Sequence, residues 1–254
     1  LAEPRLRPVR GGVLAEGGAT LLLLGSPVDL AIDGPTARAR VTVREGDRIG
    51  FALHHRCSAE HLPSPWSQRA CGARLRETVE AWRSWSAMHQ RYDGPYREVV
   101  HHSGRVLQAL TYHPTGAIVA APTTSLPEAP GGERNWDYRF SWVRDASFTL
   151  DALWVAACPD EASRFFDFLA LARAAPLGRG RPMQIVLGLG GEHDLTEHEL
   201  EHLAGWRGSA PVRVGNAAWR QRQVDVYGEL LSAAARLRDH LDELDPQARG
   251  FLAD

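Results

Sequence analysis

Gly131-Gly132-Glu133-Arg134-Asn135-Trp136-Asp137-Tyr138-Arg139-Phe140-Ser141-Trp142-Val143-Arg144-Asp145 decides the reading of this chain. Arg134, Arg139 and Arg144, two aspartates, a glutamate, two tryptophans and a tyrosine crowd into one run. A solvated loop seldom needs such large aromatic surfaces, and a core segment seldom carries so many charges. Carboxylates and guanidinium forks pair with hydroxyls, and flat rings cover the C–H faces of a sugar. The composition therefore points to a polyhydroxylated ligand, or else to an Arg–Asp network that pins a loop to helix ends. Pro127 and Pro130 precede the run, and an apolar helical pattern from about Trp142 to Ala157 follows it.

Upstream the sequence is β in character. Thr20–Leu24 and Val28–Ile32 read as strands separated by Gly25-Ser26-Pro27. Ala37, Ala39, Val41 and Val43 alternate with Arg38, Arg40 and Thr42, predicting a half-buried strand. Glu45-Gly46-Asp47-Arg48 makes a turn, and Ile49, Phe51 and Leu53 continue the inward face on a hairpin partner. His61–Gly72, with Pro63 and Pro65, reads as a linker leading into a helix over Leu75–Gln90 that uses Trp82 and Trp85 to seal against the core.

Helices then dominate. A second runs from Pro95 and Tyr96 to Leu110, a fourth from Asp160 to about Ala174, and a last from Ala217 to Leu244, with Asn216 as its cap and Asp245-Pro246 as its stop. A long Gly-rich excursion over 176–214 holds one apolar strand, Gln184–Leu187, and a capping-box spacing at Thr196-Glu197-His198-Glu199 that predicts a short helix. Long loops in such an array carry function.

Composition excludes several function classes. Net charge is −2 and all 29 basic residues are arginine, spread along the chain, so no basic footprint for nucleic acid is present. No apolar run is long enough to span a bilayer, Leu21–Leu24 being the strongest candidate. Cys57, Cys71 and Cys158 lack metal-type spacing and read as free thiols of a reducing cytoplasm. His198-Glu199-Leu200-Glu201-His202 fits the H-E-x-x-H zinc pattern, which would need both histidines on one helix face. A solvated helix face explains it better, and neither a metal nor a cofactor is expected. Gly188-Leu189-Gly190-Gly191 lacks the strand–turn–helix setting of a phosphate loop, and Arg179-Gly180-Arg181 reads as an exposed basic turn.

The chain resembles glycoside hydrolase family 15, the glucoamylase-like and trehalase-like enzymes. The resemblance runs through Thr78-x-x-x-Trp82-x-x-Trp85, Tyr92-x-Gly94-Pro95-Tyr96-Arg97-Glu98, Gly116–Glu128, Arg134–Arg139, Trp142–Ser147, Asp194–Glu197, Pro211–Ala218 and Gln221-x-Gln223-x-Asp225-Val226-Tyr227-Gly228-Glu229. It implies a partial N-terminal β-sandwich over residues 1–60, a linker with its helix over 61–93, and the first part of an (α/α)6 barrel over 94–254. It also implies inverting hydrolysis of an α-glucoside, maltooligosaccharide or trehalose, from the non-reducing end. Carried over by position, Arg144 and Asp145 hold hydroxyls of the glucosyl unit, Tyr138 sits beside the developing oxocarbenium ion, and Trp142 forms part of the aromatic wall. Asp137 belongs to the same binding stretch, with Arg139, and more in holding the loop than in touching sugar. Ser141 stands where many members have Cys.

Inversion needs a general acid and a general base on opposite faces of the sugar ring. In the family these lie downstream of the helix holding Tyr227-Gly228-Glu229. The resemblance thus implies an N-terminal portion that binds glucose, has no catalytic carboxylate of its own and is inactive in isolation. The competing expectation is a non-catalytic carbohydrate-binding or interaction remnant of the fold, and a zinc metalloprotease is a distant third.

Overall fold

The computed structural model describes residues 3–57, 61, 64–156, 159–174 and 183–237. Cys158, the Arg179–Arg181 turn and the end of the last helix at Leu244 with Asp245-Pro246 lie outside them. The chain divides into two compact units, Leu1–Ser84 and Trp85–Asp254. The first holds a four-stranded sheet, a short hairpin and most of the first helix, and helices dominate the second.

In the first unit β1 (Arg5–Val9), β2 (Gly12–Gly17), β3 (Thr20–Gly25) and, later in the chain, β6 (Ala52–Cys57) form one antiparallel sheet in the order β1-β2-β3-β6. A separate hairpin pairs β4 (Ala31–Asp33) with β5 (Thr36–Arg38). The register aligns Leu14 with Leu23 and Leu23 with His54, so one buried row crosses three strands. The Trp66 ring closes over it, edge-on to the His54 ring at 4.8 Å.

Three expectations for this unit are corrected. The strand expected over Val28–Ile32 begins only at Ala31, because the Ser26 hydroxyl donates to Val28 O at 2.7 Å and accepts from Val28 N, holding a turn around Pro27. The strand expected over Ala37–Val43 stops pairing at Arg38. Ile49, Phe51 and Leu53 do not form a hairpin partner of that strand, because β6 pairs with β3 instead, and the face expected to be inward is inverted. Ala52 and His54 are buried, while Phe51 and Leu53 are exposed. Alternation fixes a period, but pairing with β3 fixes the phase, and a one-residue slip exchanges the faces. The turn at Arg44–Asp47 forms as expected, with Asp47 Oδ2 accepting from Arg44 N.

Helix α1 (Gln68–His89) starts a full two turns before the expected Leu75, because Ser67 Oγ accepts from Ala70 N and caps it. Cys57 and Cys71 are free thiols.

In the second unit α2 (Arg97–Ala109) is followed by an extended segment, a short strand β7 (Ser141–Trp142), α3 (Val143–Val155), α4 (Pro159–Ala174) and β8 (Val186–Leu187), which pairs with β7. Tyr96, in a left-handed conformation, occupies the N-cap of α2. The core is built on apolar spacing. Val143, Ala146, Leu150 and Leu153 recur at three and four residues on α3 and pack with Phe165, Phe166 and Leu169 of α4. Burying each of the larger side chains contributes roughly 1.5–3 kcal/mol, which makes the start of α3 a fixed platform. At the end of α1, Trp85 donates through Nε1 to the buried Glu161 at 2.9 Å, joining this core as expected, whereas Trp82 remains partly exposed.

Two further expectations are overturned. No helix starts at Thr196. Its N–H and hydroxyl both go to Asp194 Oδ1, and the chain continues into β9 (His198–Glu199), which pairs with β10 (Arg213–Val214). The last helix is broken. Asn216 caps only a single 3-10 turn, Ala217–Arg220, through a 3.0 Å bond from Ala218 N, and Gln221 is extended before α5 (Asp225–Leu237) begins. Val226, Leu230, Ala233 and Ala234 of α5 complete the core.

Candidate functional site

The stretch 131–145 is laid down as one side of a ribbon. Ala120 N donates to Phe140 O, Ala121 N to Tyr138 O and Ser125 N to Trp136 O, at 2.9–3.0 Å, so residues 120–125 run beside 136–140. On the same ribbon lies the segment around β10. Thr124 Oγ1 donates to Arg213 O at 2.7 Å, and Arg213 N donates to Ser125 Oγ at 2.7 Å.

Asp137 sits where these segments meet and is fully buried. Its Oδ1 accepts from Arg139 N and Nε at 3.1 and 2.9 Å, and its Oδ2 from Arg139 Nη2 at 2.8 Å and Gly215 N at 3.1 Å. The Asp137 carbonyl accepts from Asn216 Nδ2 at 2.8 Å. Both carboxylate oxygens are thus taken up by protein donors. The Asp137 hydrogen bond raises the Arg139 guanidinium above its ordinary pKa, against the opposing effect of burial. Such a bidentate pair fixes a loop.

Arg213 adds a second fastening. Its guanidinium lies 4.8 Å from the centre of the Trp136 ring, and Nη1 donates to Glu133 O at 2.9 Å. Nε lies 3.2 Å from Glu197 Oε1, an ion pair without hydrogen-bond alignment, and Nη2 lies 3.4 Å from Glu199 Oε1. Arg213 was no candidate from sequence. Its only signal was membership of the run Pro211–Ala218.

The ribbon delivers four candidate side chains to the start of α3. The Tyr138 and Trp142 rings are 6.4 Å apart, inclined at 51°. Tyr138 is 38% exposed, Trp142 is half-buried against the core, and the Trp142 Nε1 finds no acceptor among the described residues. Burial, then the carboxylates of Glu128 and Asp145, raise the Tyr138 phenol above its ordinary value of 10.0. It is therefore a neutral hydroxyl near neutral pH, able to donate as well as accept.

Arg144 and Asp145 both lie in the first turn of α3. Asp145 is exposed and has no hydrogen-bond or ion-pair partner among the described residues. Arg144 is held from one side only. Its Nη1 donates to Gln223 Oε1 at 2.6 Å and lies 3.3 Å from Asp225 Oδ2. Asp145, Tyr138 and Arg144 offer an unengaged carboxylate, a phenol and a part-engaged guanidinium, the groups that hydroxyls pair with. Asp137, by contrast, presents no free oxygen.

The remaining motifs do not form sites. His198 lies on β9 and His202 in the turn that follows, so the helix that would align them for zinc is absent. Among the described residues no group of three or more His, Cys, Asp or Glu is placed to hold a metal ion. In the Gly188–Gly191 turn, the Glu192 carboxylate accepts from Gly190 N at 2.9 Å and fills the space an anion would need. Among the described residues no helix is long and apolar enough to cross a membrane.

The chain is 44% identical over 212 residues to a trehalase of Mycolicibacterium smegmatis and 41% identical over 212 residues to a trehalase of Mycobacterium tuberculosis. Each match covers 84% of this chain and 31% of the relative. A trehalase of Thermoplasma acidophilum is 42% identical over 174 residues, 68% of this chain and 29% of its own length. The chain thus spans less than a third of the length of these relatives. No solved structure matches it. The profile of glycosyl hydrolases family 15 matches residues 94–249, the stretch that contains the ribbon, α3 and α5. More than half of the chain falls in that match, and the chain belongs to glycosyl hydrolases family 15.

Proposed function

We propose that this chain supplies the glucosyl-binding part of an inverting, trehalose-cleaving α-glucosidase. Arg144 and Asp145 hold hydroxyls of the glucosyl unit, Trp142 walls the pocket, and the Tyr138 hydroxyl lies beside the carbon at which positive charge develops. Asp137 acts through the ribbon, holding Arg139, Gly215 and Asn216. The observation that carries the reading is the contrast between the two aspartates. Asp145 has an unengaged, exposed carboxylate beside Arg144, whereas both oxygens of Asp137 are spent on protein donors. The identity to proteins named trehalase favours trehalose over maltooligosaccharides as the substrate.

The same contrast bears on chemistry. An inverting enzyme needs one carboxylic acid to protonate the leaving oxygen and one carboxylate to activate water. Asp137, locked onto a guanidinium, can do neither, and Asp145 is used in binding. The acid–base pair is therefore assigned to neither of them; the family resemblance places it downstream of Glu229, and on that reading the chain binds without turning over. In domain terms, residues 1–60 form part of a β-sandwich, 61–93 a linker, and 94–254 the first part of an (α/α)6 barrel.

Two measurements test this. Ligand-detected NMR with glucose and trehalose should show binding to the purified chain, lost in Asp145→Asn. Equal binding by the variant would remove Asp145 from the site. Coupled glucose detection should show no release from trehalose or maltose, and measurable turnover would overturn the assignment of the acid–base pair.

A further inference from the structure

The contacts of Arg144 are one-sided, and the side they occupy is set by a segment far away in sequence. The donors on Nη1 face Gln223 Oε1 at 2.6 Å and Asp225 Oδ2 at 3.3 Å. Those on Nε and Nη2 have no partner among the described residues. Gln223 is itself held, since its Nε2 donates to Gln221 Oε1 at 3.0 Å. Asp225 is the first residue of α5, whose Val226 and Leu230 are buried in the core that also holds Leu150 and Leu153 of α3. The extended segment from Gln221 to Asp225 therefore projects from one packed helix and grips a side chain in the first turn of another.

We propose that Gln223 is a positioning residue: it fixes the Arg144 guanidinium by one edge, so that the opposite edge, Nε and Nη2, is presented to sugar hydroxyls. The inference rests on the reading of Arg144 as a glucosyl contact. The physical reason is the number of rotatable bonds. An arginine side chain in water samples many rotamers, and a ligand that needs one of them bears the ordering cost. A short hydrogen bond on Nη1 removes that cost before the ligand arrives. Gln223 suits the task better than a second carboxylate. It accepts from Arg144 without further neutralising a cation that Asp225 already partners, and its own N–H group anchors it to Gln221. Gln223, just before α5, and Asp225, its first residue, bring both acceptors to one nitrogen, Arg144 Nη1.

The test uses the whole chain and two variants. Gln223→Leu removes both hydrogen bonds at similar volume. Gln223→Glu keeps the acceptor toward Arg144, and the Gln221 amide can rotate to donate to it. Gln223 lies outside any helix and is not fully buried, so both variants should keep the far-UV spectrum and the melting temperature. The readouts are the Arg144 guanidinium 15N–1H resonances, assigned through Arg144→Ala, and the affinity for trehalose by NMR titration. Gln223→Leu should collapse the slowly rotating Nη1 signals and weaken trehalose binding by about tenfold or more, and Gln223→Glu should restore the signals in full and the affinity in part. Unchanged guanidinium signals in Gln223→Leu would overturn the positioning role. Collapsed signals with unchanged affinity would overturn its link to sugar binding. Equal trehalose binding by Arg144→Ala and the unaltered chain would instead bring down the reading of Arg144 itself.

Discussion

Asp137 and Asp145 are eight residues apart in a stretch of mixed charge, yet their surroundings give them opposite work. Asp137 is fully buried and its carboxylate accepts four hydrogen bonds, three of them from Arg139. Asp137→Asn keeps the shape but removes the charge that Arg139 pairs with, and it turns one acceptor oxygen into a donor facing donors. The expected loss is about 2–4 kcal/mol, read by urea denaturation. Asp145→Asn leaves no buried group unpaired and loses only a favourable charge in the first turn of α3. Its cost should stay below about 1 kcal/mol, while sugar binding disappears. A large stability loss for the second variant would contradict the unengaged state of its carboxylate.

The Asp194 carboxyl gives a pH prediction at the same scale. The Thr196 hydroxyl first, then the Thr196 N–H, hold it below its ordinary value of 3.8. A depressed acid adds stability above its unfolded-state pKa and loses it as pH falls through the lower folded value. The effect is therefore confined to the acid side of the ordinary carboxylate range. Thr196→Val removes the larger cause, so the Asp194 carboxyl carbon should titrate at higher pH in a 13C NMR series. An unchanged midpoint would remove the hydroxyl as its cause.

At the scale of elements, the helices were legible in the sequence wherever one face was apolar. The spacing of Val143, Ala146, Leu150 and Leu153 places α3, and the run to Ala174 places α4. What failed depends on partners distant in sequence or on local side-chain turns at Ser26, Ser67 and Asp194. The phase of β6 is set by its register on β3, which no period reveals. Thr196-x-x-Glu199 has the form of a capping box, but Asp194 captures the threonine hydroxyl and Val214 pairs with His198, so a strand forms instead. That pairing also undoes the zinc pattern at His198 and His202. Arg144 and Asp145 were candidates that the sequence itself offered, whereas the contacts of Arg213 and the grip of Gln223 on Arg144 had no signal in it. Their contacts join residues some 80 positions apart. The β9–β10 hairpin carries its own test. Gly215 has φ +83°, and a Cβ there would lie 2.2 Å from Thr196 O. Backbone cannot retreat as a flexible side chain does. Gly215→Ala should therefore cost about 1–3 kcal/mol, and it should also disturb Asp137, to which Gly215 N donates. Wild-type stability in a thermal melt would mean that the Thr196–Glu197 backbone can move away from Gly215.

For the molecule as a whole, the helical unit has apolar surface left over after its core is built. Helix α3 buries one stripe, yet Phe148 and Val155 on its other side are 57% and 56% exposed, about two turns apart with Ala152 between them. Leu231 of α5 is 52% exposed. Single exposed apolar side chains are ordinary, but a stripe at four- and three-residue spacing is the pattern of a helix that packs on two sides. In a complete helical barrel such a face would lie against another helix. In this chain alone it faces water and should drive self-association. Sedimentation velocity over a concentration series should show weight-average mass rising with concentration. The double variant Phe148→Glu, Val155→Glu changes no residue of the buried stripe, so it should keep the helical spectrum and shift the chain toward monomer. A strictly monomeric unaltered chain across the series would mean that these side chains are too sparse to act as an interface. Association undiminished in the double variant would move the contact to another surface. The variant's own melting temperature separates the two effects: if the exposed stripe contributes nothing to the fold, monomerisation should come without a loss of stability in the diluted state.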